Sequence, residues 1–246
     1  MINTTKETSG RFANHFFRNL AVHFLSKNNQ IKFDYSYERQ FFNLGIILYK
    51  TGANVYSENL EINDNNFFEL IKTGTKINKN IFITKCGDEF FAQTKEFASH
   101  LKDYIYQSEQ KNIIVEKNLF KHRYNNNNDV FIHIRLGDTI HYNPGYIYYD
   151  TLLSQLKFDR GYISSDSITH HICVELIKKY NLIEFTDTEV KTVMFASTCK
   201  NIILSNGTFS WLIGLFGFYS TIYYPKIKTI WHGDIFIFPE WNEISF

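Results

Sequence analysis

Arg135 and a run of small hydrogen-bonding residues, Ser205, Asn206, Gly207 and Thr208, are the groups in this chain best suited to holding a diphosphate. Arginine offers a planar fork of N–H donors that matches phosphate oxygens. A helix that starts after a serine- and glycine-containing turn points its first amide groups at an anion. Each feature follows a hydrophobic run, VFIHIRLGD at 130–138 and IILSNGTFSW at 202–211. Strand alternation in the first run places Val130, Ile132, Ile134 and Leu136 on one face, and His133 with Arg135 on the other. The second run breaks after Leu204, as suits a strand-to-helix turn with its N-cap. Brought to one edge of one sheet, the two turns would form a diphosphate site.

The elements that must position them read most clearly in the second half of the chain. Strands are expected at 130–136, 161–164, 183–185, 202–204 and 221–224, with helices at 167–180, 187–198 and 208–217. Such alternation with short loops argues for an α/β fold with a parallel sheet flanked by helices. Ligands of such sheets sit beyond the carboxyl ends of the strands, where His133, Arg135, Asp138, Asp166, Ser205, Asn206, Thr208, Phe209 and Ser210 all fall. In the first half, Phe16, Phe17, Leu20, Ala21, Phe24 and Leu25 recur at helical spacing after Gly10. A second helix is expected over 37–50, a strand over 81–84 and a helix over 89–107. A strand before Gly10 would have to be made of the polar MINTTKETS, and is expected to be short or at a sheet edge. The polar run 125–128, after Lys121, His122 and Arg123, marks the interlobe boundary, giving domains 1–128 and 129–246.

Bulk properties narrow the function classes. With 246 residues, 44% hydrophobic and 17% aromatic, the chain can bury one large core or two small ones. Its 26 basic and 25 acidic side chains leave a net charge of +1, so no global field recruits nucleic acid and any anion is bound locally. Cys86, Cys173 and Cys199 are too few and too far apart for a disulfide framework or a CxxC zinc site. No stretch reaches the roughly 20 apolar residues of a transmembrane helix, and the polar start is unlike a signal peptide. A cytoplasmic protein without a transmembrane segment is expected.

HIRLGD at 133–138 resembles the HxRxGD motif of the alpha-1,2-fucosyltransferases and the wider GDP-fucose-dependent fucosyltransferase superfamily. Other landmarks follow in the family's order. GRFANHFF at 10–17 is similar to the amino-terminal GxxxNQxF-type turn, YISSD at 162–166 to the strand-to-aspartate element, and CKNIILSNGTFSW at 199–211 to the CKHxIxSNSSFSWW signature. Tyr224-Pro225-Lys226 and Pro239-Glu240-Trp241 resemble elements near the family's end. The resemblance implies a GT-B-like fold of two Rossmann-like lobes, with GDP-fucose held mainly by the carboxy-terminal lobe and a glycan acceptor, galactose-terminated in type, mainly by the amino-terminal one. It also implies inverting transfer without a bound metal or further cofactor. Arg135 would contact the β-phosphate, His133 and Asp166 the guanine or its surroundings, and Ser205, Asn206, Thr208, Phe209 and Ser210 would wrap the phosphates. Gly10 and Asn14 would line the donor site. Without a metal, the departing charge must be met by guanidinium and amide donors.

His15 and Asp138 are candidate bases for the acceptor hydroxyl by type and position. Asp138 and Asp166 also read as caps of a turn and of a helix, and Arg135 as a salt-bridge partner. Three departures stand out. His15 replaces the glutamine of the first turn, Gly207 replaces a serine, and Leu212 replaces the second tryptophan of FSWW. They keep open a transferase for another GDP-sugar, or a nucleotide- or glycan-binding protein that has lost transfer.

Overall fold

Residues 3–5 bond to chain segments on both sides, despite their polarity. In the computed structural model, which describes residues 3–6, 8–53, 56–83, 90–226 and 234–246, Asn3 N donates to Ile81 O at 2.8 Å and Thr5 N to Asp34 O at 2.9 Å. Side chains reinforce these pairings. Ile81 N donates to Asn3 Oδ1 at 2.7 Å, and Ser36 N to Thr5 Oγ1 at 2.9 Å. The expected first strand is here only an isolated bridge at Thr4, held by polar side chains as well as backbone, which is why the segment carries no apolar alternation. Met1, Ile2 and Glu7 of the expected strand lie outside the described residues, as do Thr84, Cys86 and Glu89 of other expected features.

The chain divides into two compact units, Met1–Ile114 with His232–Ile235, and Val115–Trp231 with Phe236–Phe246. In the first unit, helix α1 (Phe12–Asn29) buries Phe12, Phe16, Phe17, Leu20 and Leu25 at helical spacing and stops at Gln30 in the left-handed region. Parallel bridges join Thr4 to Asp34 and Ile31 to Ala53. Strand β1 (Asn59–Ile62) pairs in parallel with β2 (Asn80–Ile83). Across the unit the order is therefore 53, 31–34, 3–5, β2, β1, with the polar segment in the middle.

Helix α2 covers only Glu38–Asn43 of the expected 37–50. Gly45 follows at φ +89°, and a side chain there would meet the Ile114 backbone at 2.9 Å, so a tight glycine turn cuts the helix short. Helix α3 (Phe67–Thr73) is an addition to the expected elements. Helix α4 (Lys95–Tyr106) starts later than expected because Thr94 caps it, accepting from Phe97 N. Helix α5 (Ser108–Lys117) carries the division between the units.

The second unit is a six-stranded sheet in which every pairing is parallel: β3 (Val130–Ile134), β4 (Gly161–Ser165), β5 (Ile183–Glu184), β6 (Asn201–Ile203), β7 (Thr221–Pro225) and β8 (Asn242–Ile244). Their order is β5-β4-β3-β6-β7-β8, with β3 and β6 side by side near the centre. Both faces of β3 are covered, as a parallel sheet requires. Val130, Ile132, Ile134 and Leu136 pack with α6 (Tyr146–Gln155) and α7 (His171–Tyr180), whereas Phe131 meets Phe195 of α8 (Glu189–Ala196). After β6 comes α9 (Thr208–Leu215), whose Gly214 makes room for Trp241.

Residues 115–128, expected with the amino-terminal lobe, pack into this second unit. Asn118 Nδ2 donates to Met194 O at 2.9 Å, and Arg123 pairs with Asp129 at 2.6 Å while stacking over Phe195. Among the described residues no helix is long and apolar enough to cross a membrane.

Candidate functional site

Arg135 follows the last residue of β3, and its strand's two neighbours, β4 and β6, deliver the turns on either side. The β4 turn supplies Asp166. Its Oδ2 pairs with Arg135 Nη1, and its Oδ1 accepts from Leu136 N at 2.8 Å. Asp138, on the turn that carries the arginine, pairs with Arg135 Nη2. The arginine side chain is 15% exposed, the Asp166 side chain 25% and that of Asp138 61%. Asp138 is thus the partner most open to solvent. Gly137 permits this packing, since a Cβ there would sit 2.5 Å from Asp166 Oδ2 and 3.0 Å from Arg135 Nη1.

The β6 turn ends at Gly207, the N-cap of α9, with φ +119° and ψ 158°. Only glycine adopts that backbone readily. Its Cβ position lies 3.9 Å from Arg135 Cγ, so the helix start touches the arginine stem. The aliphatic stem of Arg135 thereby lies beside the amino end of an α-helix, and both the guanidinium and a helix start favour anions. Asn206, Thr208 and Phe209 are half-buried here.

His133 and Ser210 tie the strand to this helix. His133 Nδ1 and Ser210 Oγ share a hydrogen bond of 2.6 Å, and the imidazole stands edge-on to Phe209 with centroids 5.1 Å apart. Burial, and then the charge of Arg135, push the His133 pKa down to about 3. A neutral imidazole here suits hydrogen bonding rather than proton storage near neutral pH.

In the first unit, Gly10, Asn14 and His15 gather at the start of α1. Gly10 has φ +98°, and a Cβ on it would lie 2.9 Å from Asn14 Nδ2. Asn14 Oδ1 accepts from Gln93 Nε2 at 3.1 Å. His15 is buried, shares a 2.5 Å hydrogen bond with Ser36 Oγ, and lies against the Tyr37 ring. Burial, reinforced by Arg18, lowers its pKa to about 4, against the upward pull of a hydrogen bond with the Gly10 backbone. The structure therefore groups Arg135, Asp138, Asp166 and Gly207 in one constellation, His133 and Ser210 in an adjoining pair, and Gly10, Asn14 and His15 in another unit.

No family model and no curated protein matches this chain.

Two residues of that geometry escaped the reading of the sequence. Asn143 Nδ2 donates to Arg135 O at 2.8 Å and to Tyr149 Oη at 3.1 Å. Tyr149 Oη in turn donates to Ser205 Oγ at 3.0 Å, which gives the hydroxyl of the fully buried Ser205 a partner. The available signal was Asn143-Pro144-Gly145, a turn sequence with a side chain able to bond backbone. Helix α6 after it mixes Tyr146, Ile147, Tyr148 and Tyr149 with little amphipathic contrast, so its inward tyrosines did not stand out. Among the described residues no cluster of three or more His, Cys, Asp or Glu side chains is placed to hold a metal ion.

Proposed function

We propose that the protein is an inverting glycosyltransferase that moves L-fucose from GDP-fucose to a hydroxyl of a glycan, forming an alpha-1,2 linkage. The observation that carries this reading is the adjacency of Arg135 to the Gly207 turn and the amino end of α9, at the carboxyl edge of neighbouring parallel strands. That is where a parallel α/β sheet accepts a nucleotide diphosphate. The sequence landmarks that resemble fucosyltransferases converge on the same edge: HIRLGD, YISSD and SNGTFSW each end a strand of this sheet.

In this reading the second unit holds the donor and the first unit the acceptor, a GT-B-like division of labour. Arg135 and the first amides of α9 bind the diphosphate and gain in strength as negative charge develops on the leaving GDP. Asp166 braces the guanidinium, and its carboxylate is the kind of group that accepts from the N1–H and amino group of guanine. Asp138, the exposed carboxylate, either accepts the acceptor's proton or turns aside to admit phosphate. The transferred sugar departs with its bond electrons left on the β-phosphate oxygen, and the acceptor oxygen attacks from the opposite face.

The deciding experiment compares turnover of GDP-fucose with GDP-mannose, and binding of GDP with UDP, in wild type and Arg135→Ala, with and without EDTA and with lactose-type acceptors. Metal-independent transfer or slow hydrolysis of GDP-fucose, lost in the variant, is expected. Turnover of GDP-mannose instead would reassign the donor, and absence of any guanine-nucleotide preference would remove the reading. A second reading, a nucleotide-binding protein without transfer, draws on the double neutralisation of Arg135 by Asp138 and Asp166. Tight GDP binding with no turnover over a broad acceptor panel would favour it.

A further inference from the structure

A diphosphate can meet Arg135 and the start of α9 together only if the two turns hold a fixed separation. The β3–β6 ladder stops short of it. It pairs Val130, Ile132 and the residue between them with Asn201, Ile203 and theirs, and its last rung, Ile132 to Ile203, lies before either turn begins. Beyond that rung the connection passes through side chains. Asn143 Nδ2 holds the carbonyl of Arg135 itself at 2.8 Å. The orientation of this amide is set from its other end, where Asn143 Oδ1 accepts from Gly145 N at 2.8 Å. The same Nδ2 donates to Tyr149 Oη, and Tyr149 Oη donates to Ser205 Oγ at the head of the second turn. Tyr148, the neighbour of Tyr149 on α6, fastens the preceding carbonyl, donating from Oη to Leu204 O at 2.9 Å. Both tyrosines are fully buried, so these bonds face no competition from solvent.

We infer that Asn143 and Tyr149 are positioning residues: an amide–phenol clamp that holds the Arg135 turn and the Ser205–Gly207 turn in register for a nucleoside diphosphate. The inference rests on the diphosphate reading of the site. Neither side chain needs to touch the ligand. The clamp acts by keeping the guanidinium and the helix amides at a separation that one diphosphate can span, and so lowers the reorganisation cost of binding.

Tyr149→Phe keeps the ring in the core and removes only the hydroxyl. Dissociation constants for GDP and for guanosine, measured on the same protein by calorimetry, separate the phosphate-dependent part of binding from the rest. The expected result is GDP binding about ten-fold weaker, the scale of one buried hydrogen bond, with guanosine binding unchanged. Ser205→Ala should give a similar loss, and the double variant no further loss, because both break the same link. Asn143→Ala reports from the other end of the clamp if the tyrosine variant fails to fold. Equal weakening of GDP and guanosine would make the clamp a general structural support, and undiminished GDP binding in these variants would remove the inference while leaving the diphosphate site standing. A wild-type protein that binds neither GDP nor inorganic pyrophosphate would overturn both.

Discussion

Asp166 braces Arg135 from the end of the neighbouring strand, with one carboxylate oxygen on the guanidinium and the other on the amide of Leu136 at 2.8 Å. The arginine is therefore aimed before any ligand arrives. Arg135→Ala is expected to lower turnover of GDP-fucose by about a hundred- to a thousand-fold, as loss of a donor to developing charge does. Arg135→Lys keeps the charge but not the fork, and cannot serve Asp166 and a phosphate in the same geometry. Steady-state kinetics should place the lysine variant between the other two, with most of its loss in kcat. Full activity with lysine would show that charge alone suffices.

Asp138 stands on the other side of the same guanidinium and is the more exposed carboxylate. In the proposed function a diphosphate at Arg135 would compete with it. Exposed pairs of this kind contribute about 0.2–1 kcal/mol, so Asp138→Asn is expected to tighten GDP binding by up to about five-fold. Calorimetric titration of GDP against both proteins measures this directly. Weaker binding in the variant would mean that the carboxylate accepts from the ligand instead of competing with it. A fall in kcat alongside the tighter binding would mark Asp138 as the base.

The parts of this fold legible in the sequence are those governed by apolar periodicity. The strands at β3, β4, β6 and β7 and the helices α1, α7, α8 and α9 all showed themselves by alternation or by three- and four-residue spacing. The parts that did not are governed by side-chain hydrogen bonds. Residues 3–5 are held by Asn3, Asn80 and Ser36, and a polar string gives no period to read. Helix α2 is ended by the close approach of Gly45 to Ile114, a contact between residues far apart in the chain. The same division runs through the site. Arg135, Asp166 and Gly207 could be placed at strand ends from local pattern, whereas Asn143 and Tyr149 act through partners that only the folded chain brings near.

Three buried histidines make stability depend on pH. Burial lowers His15 and His23 to about 4 and His133 to about 3, each below the unfolded value of 6.5. Between pH 6.5 and those values the unfolded chain takes up protons that the folded one refuses. Their contribution is thus fully present above pH 6.5 and is lost as pH falls toward 4 and 3. Thermal denaturation should give a lower Tm at pH 5 than at pH 7.5. His133→Asn, which can keep a hydrogen bond to Ser210 without a titrating ring, should flatten that dependence. An unchanged slope in the variant would place the proton uptake elsewhere.

Thr139 offers a test of whether the arginine turn reserves a group for a ligand. Its hydroxyl is buried and has no hydrogen-bond partner among the described residues. Thr139→Val removes a polar atom that was already unsatisfied, so stability should be unchanged or rise by about 1 kcal/mol. Chemical denaturation reads that effect, and GDP affinity measured on the same variant should match wild type. A variant that is more stable but binds GDP less tightly would place the hydroxyl in the ligand site.

Gly207 stands where the family-like pattern has a serine, and its backbone explains how the turn uses the change. With φ +119° and ψ 158° it occupies a region close to glycine-only, while among the described residues its Cβ position has no neighbour nearer than Arg135 Cγ at 3.9 Å. A methyl group would therefore fit the space but strain the chain. Gly207→Ala is expected to cost about 1–3 kcal/mol of stability, read as a lower midpoint in urea with an unchanged slope. If the turn relaxes to relieve the strain, the first amides of α9 swing away from Arg135 and GDP affinity falls with stability. A variant of undiminished stability would show that the turn has a second conformation open to ordinary residues, and would weaken the case for a rigid anion site at this helix start.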